Sequence, residues 1–146
     1  MSFSKNIIAV TLVTGSLWGC SLAQEKESEK QEALTGSQWF VQEIAGEPVL
    51  EKRDITITFD EEGSVYGSSS CNRYSGSWES SGNQLMFSTL ASTRMACPEA
   101  LMRQENRFLK LLGGVRQYQV DNAGRLVLKT DTEEVLEAVP WTDGRE

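Results

Sequence analysis

Histidine is absent from this 146-residue sequence. That absence removes the most common general base, the usual activator of a serine or cysteine nucleophile, and the most common zinc ligand in proteins. Because the chain offers only three cysteines as soft ligands, we expect no metal site and no cofactor. Any catalytic function would have to depend on carboxylates.

Dense clusters of basic residues are also missing. The sequence holds 14 basic and 21 acidic residues, which gives a formal net charge of -7, and its lysines and arginines are scattered. Nucleic-acid phosphates are bound by concentrated positive charge. We therefore expect no nucleic-acid partner.

Apolar residues make up 39% of the chain and include four tryptophans, five phenylalanines and three tyrosines. This content is typical of a globular core, and the length fits a single domain.

The first residues are typical of a secretory signal peptide. Lys5 provides a positive start, an apolar run extends from Ile7 to Val13, and small residues follow. The apolar run is too short to cross a bilayer as a helix. We therefore expect residues 1–19 to be a lipoprotein signal peptide that takes no part in the fold.

The segment Leu17-Trp18-Gly19-Cys20 resembles a bacterial lipobox, although Trp18 is bulky for its position. The resemblance implies that Cys20 is lipidated, becomes the first residue and attaches the protein to the membrane. Ser21 after this cysteine favours the outer membrane, with the domain facing the periplasm. The alternative is ordinary cleavage after Ala23, which would release a soluble periplasmic protein.

Residues 20–35 are polar and of mixed charge. We expect them to form a tether between membrane and domain; an exposed helix is the alternative, because Glu, Lys and Gln are good helix formers. The domain itself is expected over residues 36–140, with a short C-terminal tail at 141–146.

The domain is predicted to consist mostly of short strands. Ile55, Ile57 and Phe59 alternate with polar residues, as in a strand with one buried face, and Gly-containing turns separate the later strands. The pattern predicts a mainly β (α+β) fold, in which a curled antiparallel sheet or small barrel carries one packed helix. The predicted strands cover residues 39–44, 55–59, 64–69, 74–79, 84–88, 116–121, 125–129 and 135–139.

One helix is predicted over residues 98–112, with Gly113-Gly114 as its C-terminal stop. Its apolar stripe consists of Leu101, Met102, Phe108, Leu109 and Leu112.

Glu105 lies within this stripe, so its carboxylate must be paired, hydrogen-bonded or protonated. We expect a structural site with Arg94 or Arg73 as the donor. The alternative is a functional carboxylate at a cleft.

Several short motifs follow one another between Trp39 and Val139. They are Trp39, Ile55-x-Ile-x-Phe59, Val65-x-Gly67, Cys71-Asn72-x-Tyr74-x-Gly76, Leu85-x-Phe87, Ser92-Thr93-x-Met95-Ala96-Cys97, Gln104-Glu105 with Phe108-Leu109, Tyr118, and Leu126-x-Leu128. This order resembles the META/HslJ family of small bacterial domains. Ser70 departs from the family pattern, which usually has glycine before the cysteine.

The resemblance implies a compact β-rich domain whose antiparallel sheet curls toward a barrel. Members are commonly secreted or lipid-anchored, and some are linked to heat-shock or antibiotic stress. The family as a whole has no established enzymatic activity or cofactor.

The three cysteines divide into one lipidation candidate, Cys20, and the pair Cys71 and Cys97. In the periplasm this pair is expected to form a structural disulfide. Two buried or adjacent free thiols are an alternative. A reactive thiolate beside Arg73 is another, although it would lack a histidine activator.

Three functions are compatible with these sequence features. The first is a non-enzymatic, lipid-anchored envelope protein that binds or scaffolds an unknown envelope partner during stress or antibiotic exposure. The second is a chaperone-like barrel that holds a small apolar ligand or a peptide, with Trp39, Phe59, Trp78 and Met86 as candidate lining residues. The third is a carboxylate-based hydrolase that uses Glu105 with Arg94 or Asn72.

Overall fold

The computed structural model describes residues 34–50 and 54–141. The predicted signal peptide, Cys20, the first part of the tether and residues 142–146 lie outside the described residues. In the two described ranges, no helix is long and apolar enough to cross a membrane.

The described residues form ten β-strands and one α-helix. All eight predicted strands and the predicted helix are present, with ends that differ by at most two residues from those expected. In chain order the elements are β1 (Gln38–Ile44), β2 (Glu47–Pro48), β3 (Thr56–Phe59), β4 (Ser64–Ser68), β5 (Arg73–Ser81), β6 (Gln84–Phe87), β7 (Ala91–Ser92), α1 (Glu99–Gly114), β8 (Val115–Val120), β9 (Leu126–Thr130) and β10 (Val135–Pro140).

Eight of the strands close into an antiparallel barrel. Neighbours follow the order β10-β9-β8-β6-β5-β4-β3-β1, and β1 pairs with β10 to close the ring. Side chains that alternate along each strand fill the interior, as the alternation of Ile55, Ile57 and Phe59 predicts, and these three are fully buried. The mainly β fold with one packed helix is confirmed.

The barrel closes weakly between β6 and β8. These two strands share a single ladder pair, Gln84 with Gln117. Along the rest of this seam, Leu109 of α1 and Phe87 and Leu90 from the β6 side pack against the core. Leu109, Phe87 and Leu90 also line one surface hollow between the helix and the segment after β6.

Helix α1 runs two residues further than predicted. Neither Gly113 nor Gly114 adopts the positive φ of a glycine C-cap, and the helix ends at Val115, which is extended. A Cβ atom on Gly114 would lie 3.4 Å from Cγ2 of Thr130. Gly114 thus allows close contact between the helix and β9 instead of stopping the helix.

The domain also extends beyond both expected limits. Leu34, which the sequence assigned to the tether, is fully buried in the core, and Ser37 donates its backbone N–H to the Leu34 carbonyl at 3.0 Å. At the other end, the ring of Trp141 stacks on Phe40 with centroids 4.4 Å apart. Leu34 and Trp141 therefore both belong to the folded domain.

Candidate functional site

Glu105 is buried at one end of the barrel, where α1 crosses the turn between β4 and β5. Its Oε2 accepts a hydrogen bond from the Ser69 hydroxyl at 2.9 Å and one from the backbone N–H of Asn72 at 2.8 Å. Its Oε1 accepts a third from Nδ2 of Asn72 at 2.8 Å. Both carboxylate oxygens are therefore bound by donors from one turn.

Asn72 connects this carboxylate to the segment that precedes the helix. Its Oδ1 accepts hydrogen bonds from the Thr93 hydroxyl at 3.0 Å and from the backbone N–H of Met95 at 2.6 Å. Its backbone carbonyl accepts the N–H of Ser69 at 2.8 Å and lies 2.8 Å from the Ser69 hydroxyl, whose single hydrogen is shared between this carbonyl and Oε2 of Glu105. Asn72 is buried, and every polar group of this residue is hydrogen-bonded, as a buried amide requires.

Gln104 extends the cluster by a second buried amide on the same helix. Its Nε2 donates to the Ser70 hydroxyl at 3.1 Å, and its Oε1 accepts the backbone N–H of Leu50 at 2.8 Å. The first helical turns are thereby connected both to the β4–β5 turn and to the segment after β2.

Ser70 holds the tight turn that glycine would be expected to make. Its φ is +102°, in the region that side chains rarely adopt. The backbone geometry is thus kept despite the side chain, and the hydroxyl contributes the contact with Gln104.

Cys71 and Cys97 form a disulfide with their Cα atoms 6.1 Å apart. The bond joins the β4–β5 turn to the residue before the Pro98 N-cap of α1. It lies beside the Asn72 contacts and restrains the same two segments. This arrangement agrees with the structural reading of the pair.

Tyr74 lies directly below the cluster in the core. Its hydroxyl donates to the Thr56 carbonyl at 2.9 Å, and its ring meets Phe108 edge-on with centroids 5.4 Å apart. Burial raises the pKa of Tyr74 far above its ordinary value of 10.0. Tyr74 therefore stays neutral and acts as a hydrogen-bond donor.

The prediction of an arginine partner for Glu105 is wrong. Arg73 and Arg94 are both exposed, and the described residues contain no ion pair between either arginine and Glu105. All three donors are neutral groups of the β4–β5 turn. They satisfy the carboxylate without bringing a second charge into the core.

The predicted apolar lining also needs correction. Trp39, Phe59 and Trp78 are part of the packed core, whereas Met86 is 51% exposed on the outer surface. Rings of Phe59 and Trp78 meet edge-on with centroids 5.1 Å apart. These residues fill the barrel instead of lining a cavity inside it.

Sequence reasoning missed Ser69, Thr93 and Gln104 as members of the cluster. Gln104 could have been found, because it precedes Glu105 and lies on the same helical face as Leu101 and Phe108. Ser69 and Thr93 gave no local signal, since small hydroxyl residues are common in loops.

The arrangement is suited to fastening the helix and not to proton transfer. A general acid or base must reach a substrate, and the oxygens of Glu105 are occupied by Ser69 and Asn72. In the described part of the chain, no group of three or more acidic or cysteine side chains is placed to hold a metal ion.

A shallow hollow of about 430 Å³ lies at the surface of the cluster. A second hollow of about 420 Å³ adjoins it, and Arg73 belongs to both. The first is lined by Asp54, Ser68, Ser70, Cys71, Asn72, Arg73 and Met95.

Comparisons with known proteins agree with this architecture. The chain is 28% identical to the heat shock protein HslJ of Escherichia coli over 128 residues, which cover 86% of this chain and 89% of that protein. An NMR structure of a protein from Burkholderia xenovorans superposes with a TM-score of 0.64 at 22% identity, covering 96% of this chain and 99% of that one.

A second NMR structure superposes with a TM-score of 0.58 at 32% identity, over 74% of this chain and 92% of the other. The META domain family matches residues 32–142, which include the whole barrel, the helix and the Asn72–Glu105 cluster. The chain belongs to the META domain family.

Proposed function

We propose that this protein is a lipid-anchored binding or scaffolding domain of the bacterial envelope that contributes to stress tolerance without a catalytic step. The observation that carries the proposal is the use of Glu105 and Asn72 as a fastening between helix and barrel. The side chains best suited to catalysis hold the fold together. Function is therefore assigned to binding by the outer surface.

The disulfide supports placement in an oxidising compartment. Disulfides persist in the periplasm and are rare in the cytosol, and the Cys71–Cys97 bond joins two elements of this cluster. The Cys20 lipobox supports attachment of the chain to the membrane. The stress role is supported by the relationship to HslJ, which is named a heat shock protein, and the META/HslJ family is not a known enzyme family.

Anchoring is tested by metabolic labelling with an alkyne fatty acid and by fractionation of the envelope. The wild-type chain should carry the label and sediment with the outer membrane. The Cys20→Ser chain should lose both properties, and Cys97→Ser serves as the control for loss of a different cysteine. An unlabelled wild-type chain in the soluble periplasmic fraction would establish cleavage after Ala23 instead.

The stress role is tested in a deletion strain challenged by heat and by antibiotics. Plasmid-borne wild type should restore survival, and Cys20→Ser should restore less because it is no longer held at the membrane. If the deletion strain survives as well as its parent under every challenge, the proposal of a stress role fails.

The hydrolase alternative is tested in the same strain with the double variant Glu105→Gln/Asn72→Asp. This pair of substitutions keeps the hydrogen-bond pattern of the cluster but moves the charge away from position 105. Full complementation by the folded double variant is expected. Loss of complementation at wild-type protein levels would favour a chemical role for Glu105.

A further inference from the structure

Residues 91–96 form an exposed edge beside β5. The short strand β7 pairs with β5, and the backbone N–H of Thr93 continues the ladder by donating to the Arg73 carbonyl at 3.0 Å. Met95 donates its N–H to Asn72 Oδ1. Since an extended chain alternates its backbone groups, the N–H groups of Ser92 and Arg94 face away from β5. All six residues of the edge are exposed.

This edge is open because the barrel seam is incomplete. β8 shares one ladder pair with β6, at Gln84, and its Tyr118 N–H donates to the Asn83 carbonyl at 2.9 Å, but in the described chain β7 has β5 as its single partner strand. Residues 91–96 are all exposed, so the described part of the chain leaves this edge uncovered. An uncovered strand edge is a template for another strand, and proteins usually cover or blunt such edges.

On the β5 side of the edge, the outer surface carries an exposed aromatic ring and a shallow hollow. Tyr66, 45% exposed, is opposite Ser75 on β5, and Ser75 is opposite Ala91 on β7. The two small side chains leave a hollow of about 420 Å³ between the ring and the edge. Met95, 57% exposed, adds a flexible apolar contact at the far end of the edge.

Arg73 and Arg94 give this surface two positive charges, and Asp54 lines the hollow beside Arg73. Among the described arginines, Arg103, Arg107, Arg116 and Arg125 form ion pairs with carboxylates. In the same described ranges, Arg73 and Arg94 form none. Two unpaired guanidinium groups on a chain of net charge -7 favour a carboxylate-rich partner, because arginine binds carboxylates through paired hydrogen bonds.

We propose that the edge 91–96, with Arg73 and Arg94, is a docking site for an extended acidic segment of a partner protein. The segment adds a strand to the edge, and its carboxylates meet the two arginines. Backbone pairing supplies affinity, while the arginines select for acidic side chains. The inference rests on the proposed binding function and specifies its partner class.

The test uses the full-length chain and fluorescein-labelled eight-residue peptides that alternate Glu with Val or Thr. A matched peptide carries Lys at each Glu position, and a third carries the Glu residues but is N-methylated at alternate amides. Fluorescence anisotropy should show binding of the first peptide only. In NMR spectra the backbone amides of Ser92 and Arg94 should shift on titration.

The double variant Arg73→Ala/Arg94→Ala should bind the acidic peptide about tenfold more weakly, the loss expected for two exposed ion pairs. Arg103→Ala is the matched control, because it removes an exposed arginine of α1 that is paired with Glu99 and is not part of the edge, and it should bind normally. Since Arg73 and Arg94 are exposed, both variants should have the same melting temperature as the wild type.

Equal binding of the N-methylated peptide would overturn strand addition and reduce the site to a charge effect. Equal binding by the double arginine variant would overturn the whole assignment. So would a concentration-dependent dimer through residues 91–96, seen by light scattering, or displacement of the peptide by vesicles of anionic phospholipid. These results are independent of Cys20 labelling and of strain survival, so they can fail while the proposed function stands.

Discussion

Nδ2 of Asn72 donates to Oε1 of Glu105 at 2.8 Å, and the backbone N–H of the same residue donates to Oε2 at the same distance. One turn residue therefore binds both oxygens of a buried carboxylate 33 positions away in the sequence. Charge-assisted hydrogen bonds of this kind are roughly twice as strong as neutral ones. They explain how a helix can place a carboxylate against a hydrophobic barrel without an arginine.

The contributions of Glu105 and Asn72 to stability should be strongly coupled. Glu105→Gln should destabilise the protein by about 3 kcal/mol, because the new amide group faces the Asn72 amide and two donors meet in a buried site. Asn72 cannot rotate without losing the Thr93 and Met95 bonds. Adding Asn72→Asp supplies an acceptor and should recover about 2 kcal/mol. Urea unfolding of both single variants and the double variant measures the coupling, and strictly additive losses would contradict it.

The disulfide should account for much of the stability. Its loop closure over a separation of 26 residues corresponds to about 3.5 kcal/mol in the chain-entropy treatment. The free energy of unfolding of Cys71→Ser/Cys97→Ser should fall by that amount. Adding reductant to wild type should lower its stability to the same value and leave the variant unchanged, and equal stability of oxidised and reduced wild type would refute the prediction.

Ser70 allows backbone strain to be separated from a side-chain contact. Ser70→Ala removes the hydroxyl bonded to Gln104 but keeps the Cβ atom at φ +102°. Ser70→Gly removes both the hydroxyl and the steric cost. We expect the glycine variant to be about 1 kcal/mol more stable than the alanine variant. Thermal unfolding compares them, and the reverse order would show that the turn is unstrained.

Gly67 and Gly76 should differ sharply in their tolerance of a methyl group. A Cβ on Gly67 would lie 2.1 Å from the carbonyl oxygen of Thr56, whereas one on Gly76 would lie 2.8 Å from the flexible Cδ2 end of Leu90. Gly67→Ala should therefore cost more than about 3 kcal/mol, and Gly76→Ala about 1 kcal/mol. Denaturant midpoints provide the comparison, and similar midpoints would contradict the expected rigidity of β3.

Asp121 should contribute an acid-sensitive part of stability in the β8–β9 turn. The backbone N–H of Arg125, above all, holds the pKa of Asp121 below its ordinary value of 3.8, with further help from the Arg125 guanidinium and the N–H of Ala123. Because the folded-state pKa is the lower one, this contribution is present above about pH 4 and is lost as the pH falls through the folded-state value.

Asp121→Asn should therefore flatten the fall in melting temperature below about pH 4. Glu133→Gln changes an exposed residue elsewhere on the surface and is the control. Its melting temperature should fall with decreasing pH as steeply as that of the wild type. If the melting temperature of Asp121→Asn falls below about pH 4 as steeply as that of the wild type, the role assigned to this carboxylate is contradicted.

Local sequence patterns predict the eight longer strands, the helix and the burial of Glu105. Alternation of apolar residues has a period of two in a strand and about 3.6 in a helix, so each element was visible within its own window. The short strands β2 and β7 were missed because two residues are too few to show a period.

The groups that meet Glu105 and the position of the open barrel edge depend instead on the folded arrangement of distant segments. The Ser69 and Asn72 donors are separated from Glu105 by 36 and 33 residues, so no local pattern selects them over Arg73 or Arg94. The exposed edge at 91–96 likewise depends on β8 meeting β6 at one pair alone. Local periodicity determines the elements, whereas contacts between distant segments follow from how the closed barrel brings their ends together.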